Sequence, residues 1–175
     1  MRLVVASLGV FALLGSVVLA RPAHAFERQW HVGAAGGVAA GDGLKLSPAL
    51  GAYAAYGLSD VFDVRVEVTA RGYELGRSED PHAVAAAAGL VYKLDVLRWV
   101  PWGGVYAGYL GFLRSPREEL RYRQHDALLG FGLGLDYAYS RGLGLGITLR
   151  TDLPVSVTAV AQVDALLRVE YRWGF

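Results

Sequence analysis

The sequence predicts an all-β protein: an eight-stranded antiparallel up-and-down transmembrane β-barrel. Three observations lead to this fold class. Charged and apolar side chains alternate at the carboxyl end, and eight alternating segments are separated by polar or glycine-containing breaks. Nothing beyond residue 25 reaches the run of about 18 apolar residues that a membrane helix needs. A chain that is 54% hydrophobic must therefore distribute its apolar side chains by alternation.

The first 25 residues have the pattern of a secretory signal peptide. Arg2 precedes an apolar run, Leu3–Leu19, and residues 23–25 (Ala-His-Ala) supply the small-x-small ending. The alternative, a helical membrane anchor, is weaker because the run is short and a breaker-rich flank follows it. We therefore expect residues 1–25 to direct export through the Sec pathway and residues 26–175 to form a single barrel domain.

Cysteine usage and net charge exclude several classes of function. The chain has no cysteine, which excludes disulfides, a thiolate zinc site, a cysteine nucleophile and a lipid-modified cysteine. Removal of the signal segment takes away two of the 17 basic residues and none of the 16 acidic ones, which leaves a net charge of −1. A net charge of −1 means that the chain has no excess of basic residues to bind nucleic acid, so we expect no nucleic-acid partner.

The last fourteen residues are the clearest strand in the chain. Every second residue from Val163 to Phe175 is apolar, and this row becomes aromatic at its end. The intervening row begins at Gln162 and carries four charges. Successive side chains on a strand point to opposite faces, so this strand has one apolar face and one charged face.

The remaining strands are read from the same alternation. Residues 62–71 are nearly as clear as the last strand, because a helix would scatter their charges around its circumference. The facing of the second strand is ambiguous, and the alanine-rich start of the fourth is equally compatible with a helix. Residues 96–101 are predicted as a compact turn and residues 151–161 as a loop. The predicted strands cover approximately residues 30–38, 49–58, 62–71, 83–94, 103–113, 126–139, 143–150 and 162–175.

The spacing of the breaks predicts the topology. The connections after strands two, four and six are short, and those after strands one, three, five and seven are longer and more polar. Outer-membrane barrels have short periplasmic turns, longer external loops and an even number of strands. The sequence therefore predicts a meander with both termini on the periplasmic side.

The composition of the two faces predicts that the apolar face points outward. A soluble barrel packs its apolar face inside, but here the polar row contains glycine runs such as residues 130–134 together with charges of both signs. Small inward residues leave room for long side chains from other strands, and charges enclosed there must be paired. On a lipid face an arginine at mid-depth costs about 2–4 kcal/mol. The predicted lumen charge network consists of Asp63, Arg65, Glu67, Arg71, Asp136, Arg150, Asp164, Arg168, Glu170 and Arg172.

Aromatic residues concentrate at the strand ends assigned to the periplasm. Aromatic belts lie at bilayer interfaces, although aromatics also favour strands in general. Their concentration at one set of ends favours the belt. The predicted belt consists of Trp30, Tyr56, Phe62, Trp99, Trp102, Tyr137, Tyr139, Tyr171, Trp173 and Phe175.

With its signal peptide, eight alternating strands and phenylalanine-terminated last strand, the chain resembles the small eight-stranded outer-membrane barrels of the OmpA, OmpX and OmpW type. The resemblance covers residues 26–175 in pattern, and no family-specific functional motif is matched. It implies a location in the outer membrane of a Gram-negative bacterium. It also implies that the assembly machinery reads Tyr171, Trp173 and Phe175 as a sorting signal. Function stays open, because such barrels do several unrelated things.

Three functions are compatible with this fold. We expect first a non-enzymatic structural or surface-interaction barrel, monomeric, in contact with outer-membrane lipid and lipopolysaccharide and holding no cofactor or metal. The alternative is a porin-like narrow transporter or a small-ligand-binding barrel. Eight strands leave an interior that side chains just fill, so a wide water channel is not expected.

The third function is a lipid-modifying enzyme, which needs a Ser/His/acid group near the edge of the wall. The available histidines and serines form no recognisable motif, so we expect no enzyme. Arginines at residues 114–123 are placed to contact lipopolysaccharide phosphates, or to pair with neighbouring glutamates in solvent. The histidines and serines considered are His31, His82, His125, Ser47, Ser78, Ser115 and Ser156.

Overall fold

The computed structural model is a closed all-β barrel in which each strand pairs antiparallel with its neighbours in sequence and β1 pairs with β8. This confirms the predicted fold class and the up-and-down order. The strands are β1 (Trp30–Gly41), β2 (Ser47–Gly57), β3 (Phe62–Gly72), β4 (His82–Lys93), β5 (Trp99–Phe112), β6 (His125–Ala138), β7 (Leu143–Pro154) and β8 (Gln162–Trp173).

The structure describes the strands, the short turns and parts of the longer connections. The predicted signal peptide, the terminal Phe175 and the arginine-rich segment 114–123 lie outside the described residues. Within them, no helix is long and apolar enough to cross a membrane. The described residues are 28–41, 46–72, 82–94, 98–113, 125–156 and 161–174.

Two ends of the barrel are distinguished by their connections. The turn end carries residues 58–61, 94, 98 and 139–142 together with the start of β1 and the end of β8. Two of its turns close tightly, with Leu58 N donating to Phe62 O at 2.8 Å and Ser140 N to Leu143 O at 3.1 Å. The opposite end, called the loop end, carries the other four connections.

Two strand boundaries differ from the predicted ones because proline was read as a break. β5 begins at Trp99 and includes Pro101, whose carbonyl accepts a hydrogen bond from Leu94 N at 2.9 Å. That side of Pro101 lies beyond the end of β4, whose last pair is Lys93 with Trp102, so the missing N–H of the proline costs no ladder bond.

β7 likewise runs on to Pro154, so the loop predicted at residues 151–161 is wrong for residues 151–154. The last β7–β8 pair is Asp152 with Gln162, and Pro154 lies beyond it. The proline therefore sits at the edge of that ladder, where a missing donor is tolerated. The extension places Asp152 inside a strand.

The two faces of the wall have opposite character. Leu133, Leu149 and Leu167 on the outward row are 66%, 60% and 69% exposed, whereas Arg65 on the inward row is 1% exposed. No Asp, Glu, Lys or Arg stands on the outward row of any strand that the structure describes. Apolar side chains therefore face outward and charged side chains face inward, which is the arrangement that a barrel surrounded by hydrocarbon needs.

Candidate functional site: the barrel interior

All ten residues of the predicted lumen charge network belong to inward rows. Nine are buried, and Glu67 is half-buried with a side chain 13% exposed. Nine of them fall into two groups at different heights, and Arg65 belongs to neither. Three residues outside the predicted network join the groups: Lys93, Asp152 and His31.

The loop-end cluster is organised by Arg71 of β3. Its Nε donates to both carboxylate oxygens of Asp164, at 2.8 and 3.1 Å, and its Nη1 donates to Gln162 Oε1 at 3.1 Å. Its Nη2 also pairs with Asp152. Because Arg71 lies on β3 and its partners on β7 and β8, the guanidinium joins opposite walls of the barrel.

Arg150 completes the loop-end cluster. Its Nε donates to Asp152 Oδ1 at 2.7 Å, and its guanidinium also forms an ion pair with Glu67 across the lumen. Asp152 therefore accepts from two arginines. Its inward parity with Arg150 was visible in the sequence, but the reading of this segment as a loop hid it.

The turn-end cluster is organised by Glu170 of β8. Its oxygens accept from Tyr53 Oη at 2.7 Å and from Arg172 Nε at 2.6 Å, and they contact His31 Nδ1 at 3.2 Å. Arg168 Nη2 also reaches Glu170, at 3.3 Å. A buried carboxylate surrounded by donors in this way is held in one position.

Two further ion pairs lie at the turn end. Arg168 pairs with Asp136 of β6, and Lys93 pairs with Asp63 on the adjacent strand β3. Lys93 shares the inward row of β4 with Val91, and the predicted network did not include it. Lys93 is fully buried, which a lysine tolerates only with a partner.

Arg65 differs from the other arginines, since no carboxylate among the described residues is in ion-pair contact with it. Its Cζ lies 4.6 Å from the centroid of the Tyr53 ring and 4.5 Å from that of Trp102. Its Nη1 is 3.5 Å from Tyr106 Oη. Arg168 stands on the same two rings, at 5.1 and 4.6 Å. We call these five side chains the arginine–aromatic layer; it fills the middle of the lumen.

Inward glycines make room for this layer. A Cβ on Gly134 would lie 2.3 Å from Trp102 Cε2, and one on Gly33 would lie 2.3 Å from Tyr53 ring carbons. The sequence analysis predicted that small residues make space for long side chains. Here the side chains that fill it include two aromatic rings.

Trp102 corrects the predicted aromatic belt. It is 5% exposed and faces the lumen, whereas Trp99, three residues earlier, is 54% exposed. The reason is parity: Trp102 lies opposite Gly134 on β6, on the inward row. The outward aromatics do cluster at the turn end, where Trp30 contacts Tyr56 at 4.9 Å and Trp99 contacts Tyr137 at 4.9 Å between ring centroids.

One side of the interior is apolar and not charged, contrary to the picture of a polar row throughout. Alanines of β4 pack there against large side chains of β5 and β6. This arrangement buries hydrophobic area inside the barrel. Two of its rings, Trp102 and Tyr106, also belong to the arginine–aromatic layer, so the apolar cluster adjoins the buried cations. The cluster consists of Ala83, Ala85, Ala87, Val91, Trp102, Tyr106, Leu110, Phe112 and Leu128.

Tyr171 and Trp173, two of the three predicted assembly-signal residues, face outward at the turn end. They are 57% and 38% exposed, and their ring centroids are 5.9 Å apart. Phe175, the third, lies outside the described residues. The exposed pair is accessible from the hydrocarbon side of the wall.

The remaining histidines lie at the loop end and face outward. His125 forms a hydrogen bond with Tyr109 and stacks on its ring, with 5.8 Å between centroids, while His82 begins β4. Among the described residues, no serine hydroxyl is hydrogen-bonded to a histidine, and no group of three or more His, Asp or Glu side chains has the geometry of a metal site. Ser78 and Ser115 lie outside the described residues.

The fold defines the class of small eight-stranded outer-membrane β-barrels. Among solved structures, the chain is similar to the N-terminal β-barrel domain of Pseudomonas aeruginosa OprF, with TM-score 0.64 and 13% identity, covering 84% of this chain and 98% of that one. It is similar to Neisserial surface protein A, with TM-score 0.63 and 17% identity, covering 84% and 96%.

It is also similar to the outer membrane enzyme PagL, with TM-score 0.51 and 16% identity, covering 80% of this chain and 97% of that one. No protein-family model matches the chain, and no curated protein matches it in sequence. Identities at this level establish a shared fold and no shared activity.

Proposed function

We propose that the protein is an outer-membrane barrel with a non-enzymatic structural or surface-interaction role. The proposal rests on the filled interior. Two ion-pair clusters, the arginine–aromatic layer and the apolar cluster together occupy the lumen, and Trp102 and Tyr106 belong to both the layer and the apolar cluster. A barrel with a filled lumen anchors the chain in the membrane and holds its loops at one end, but it lets few ions pass.

The apolar outward rows support a location in the outer membrane. In this proposal the signal segment at residues 1–25 directs export through the Sec pathway. The assembly machinery then recognises the last strand through Tyr171, Trp173 and Phe175. The outward rows contact lipid, the loop end contacts lipopolysaccharide, and the barrel is a monomer. We expect Phe175→Ala to lower the amount of folded barrel in sucrose-gradient outer-membrane fractions, with Leu143→Ala on the outward row of β7 as the matched control.

Measurement of conductance in planar bilayers tests the filled interior. The wild-type barrel is expected to give no steady conductance. The double replacement Arg65→Ala and Trp102→Ala removes two side chains of the arginine–aromatic layer and is expected to raise conductance. Trp99→Ala, which removes an outward indole close by in β5, is the control and leaves conductance at the wild-type level.

A narrow transporter is the second candidate, because a space remains next to the arginine–aromatic layer. Steady single-channel steps in the wild type that disappear in Arg65→Gln or Arg168→Gln favour this candidate over the structural role. A band shift between unheated and boiled samples on a denaturing gel shows that each variant is folded before its conductance is read.

An enzyme is the third candidate, raised by the shared fold with PagL. His125 is the polar side chain to examine, because it faces outward at the loop end and already has a tyrosine partner. We expect purified lipopolysaccharide incubated with the folded barrel to keep its mass. A mass change that is lost in His125→Phe contradicts the non-enzymatic role.

A further inference from the structure

A small internal space lies beside the arginine–aromatic layer, and its charged lining consists of three arginines and one carboxylate among small, apolar and hydroxyl-bearing residues. Arg65, Arg150 and Arg168 line it, and Glu67 is the one carboxylate in its lining. Its volume is about 30 Å³. By that measure one water needs about 10–15 Å³, so the space takes two waters or one monatomic ion.

The arginines around this space have donors that nothing in the described residues accepts. Arg65 Nε and Nη2, Arg150 Nη2 and Arg168 Nε are all buried and without a hydrogen-bond acceptor there. A guanidinium carries five N–H donors and no acceptor, and a buried donor left unsatisfied is unfavourable. A group in this space that accepts hydrogen bonds satisfies those donors that face it.

Acceptor-only character favours an anion over water. A water molecule that accepts two hydrogen bonds also carries two O–H donors, which need acceptors of their own. A halide accepts hydrogen bonds from all sides and donates none. Arg65 supplies the charge complementarity, since its positive charge is fully buried and in ion-pair contact with no carboxylate of the described residues.

From these observations we infer that the space between Arg65, Arg150 and Arg168 is a binding site for a single halide-sized anion, chloride in the cell. The inference goes beyond the anchoring role and does not depend on it. Glu67 opposes the anion from the same lining, which makes the site weak. The ion pair between Glu67 and Arg150 reduces the repulsion between the Glu67 carboxylate and the anion.

Bromide is the probe, because its anomalous scattering identifies it without ambiguity. Crystals of the folded barrel grown at high bromide are expected to show an anomalous peak within contact distance of the guanidinium of Arg65. In Arg65→Met, which keeps an unbranched side chain as far as the position of Nε but removes the donors, the peak is expected to disappear. Arg141→Met, at an exposed turn position, is the matched control and keeps it.

Glu67→Gln gives an effect of opposite sign. Removing the negative charge from the lining should raise bromide occupancy at a given concentration, and the amide keeps an oxygen for Arg150. In solution, replacing gluconate by chloride at constant ionic strength should raise the unfolding temperature of the wild type, more so in Glu67→Gln, and not in Arg65→Met.

Water or an empty space at high bromide in the wild-type crystals overturns the inference. So does a chloride-dependent unfolding temperature that is the same in Arg65→Met as in the wild type, because such an effect does not come from this space. Should Arg65→Met fail to fold, the wild-type anomalous map and the Glu67→Gln comparison decide the matter between them.

Discussion

A single methyl group added at Gly134 tests the packing of the lumen most directly. The new Cβ would lie 2.3 Å from Trp102 Cε2 and 2.4 Å from its Cζ2 and Nε1. Ordinary contact begins at 3.4 Å, so the indole has to move by about 1 Å. Guanidinium groups of Arg65 and Arg168 lie 4.5 and 4.6 Å from the ring and oppose this movement.

Two effects of opposite sign set the magnitude. Overpacking a filled interior costs about 1–3 kcal/mol. Replacing glycine by alanine in a strand recovers about 0.5–1 kcal/mol of backbone entropy. The clash is with a large ring held between cations, and not with the end of a flexible side chain, so overpacking should win. We expect Gly134→Ala to lower the free energy of unfolding by about 1–2 kcal/mol.

The assay is equilibrium unfolding of the refolded barrel in urea, followed by tryptophan fluorescence and by gel mobility. Gly103→Ala is the matched control, because Gly103 neighbours Trp102 on the same strand and faces outward. There the new Cβ lies 3.3 Å from the flexible end of Leu133, and stability should change by less than about 0.5 kcal/mol.

Combining Gly134→Ala with Trp102→Phe gives a rescue test, since the smaller ring leaves room for the methyl group. The double variant should lose less stability than the two single variants added together. If Gly134→Ala is as stable as the wild type, or as stable as Gly103→Ala, the indole of Trp102 does not pack against Gly134. The account of the arginine–aromatic layer then fails.

Three further replacements test the buried polar contacts and the lipid face by the same unfolding assay. Asp164→Asn should lower the free energy of unfolding by about 3–5 kcal/mol, because it leaves Arg71 partly unpaired. The double variant Arg71→Met with Asp164→Leu removes both charges and should lower it much less. Equal losses in the two variants count against a buried ion pair. Tyr53→Phe should cost about 1.5–3 kcal/mol through loss of the 2.7 Å bond to Glu170, and no loss contradicts that bond. Val66→Arg on the outward face should cost about 2–4 kcal/mol in lipid, with Val66→Leu near neutral; tolerance of the arginine argues against a hydrocarbon-facing wall.

Strand existence and facing could be predicted because both depend on a period of two. The last strand shows this best: its buried row runs from Gln162 to Arg172 and its exposed row from Val163 to Trp173, as the alternation indicated. The second strand, whose facing was ambiguous in sequence, is resolved by its partners. Tyr53 lies opposite Glu67 on β3, so it faces inward with that row.

Contacts across the lumen could not be predicted, because alternation fixes the face of a side chain but not its height or its partner. Arg71 and Asp164 are both inward in sequence, yet their pairing depends on the stagger of β3 against β8 on the far wall. The same limit explains Arg65. Its neighbours along β3, Asp63 and Glu67, suggested an ion pair, but the register gives those carboxylates to Lys93 and Arg150.

Cross-lumen pairing has a consequence for how the barrel becomes stable. Arg71 binds residues of β7 and β8, and Arg150 of β7 reaches Glu67 of β3, so neither contact exists until the wall has closed. Before closure these charges are solvated; afterwards their partners are other side chains of the lumen, such as Asp164 and Gln162 for Arg71, because the outward rows face hydrocarbon. The ion pairs therefore stabilise the closed barrel and not a partly formed sheet.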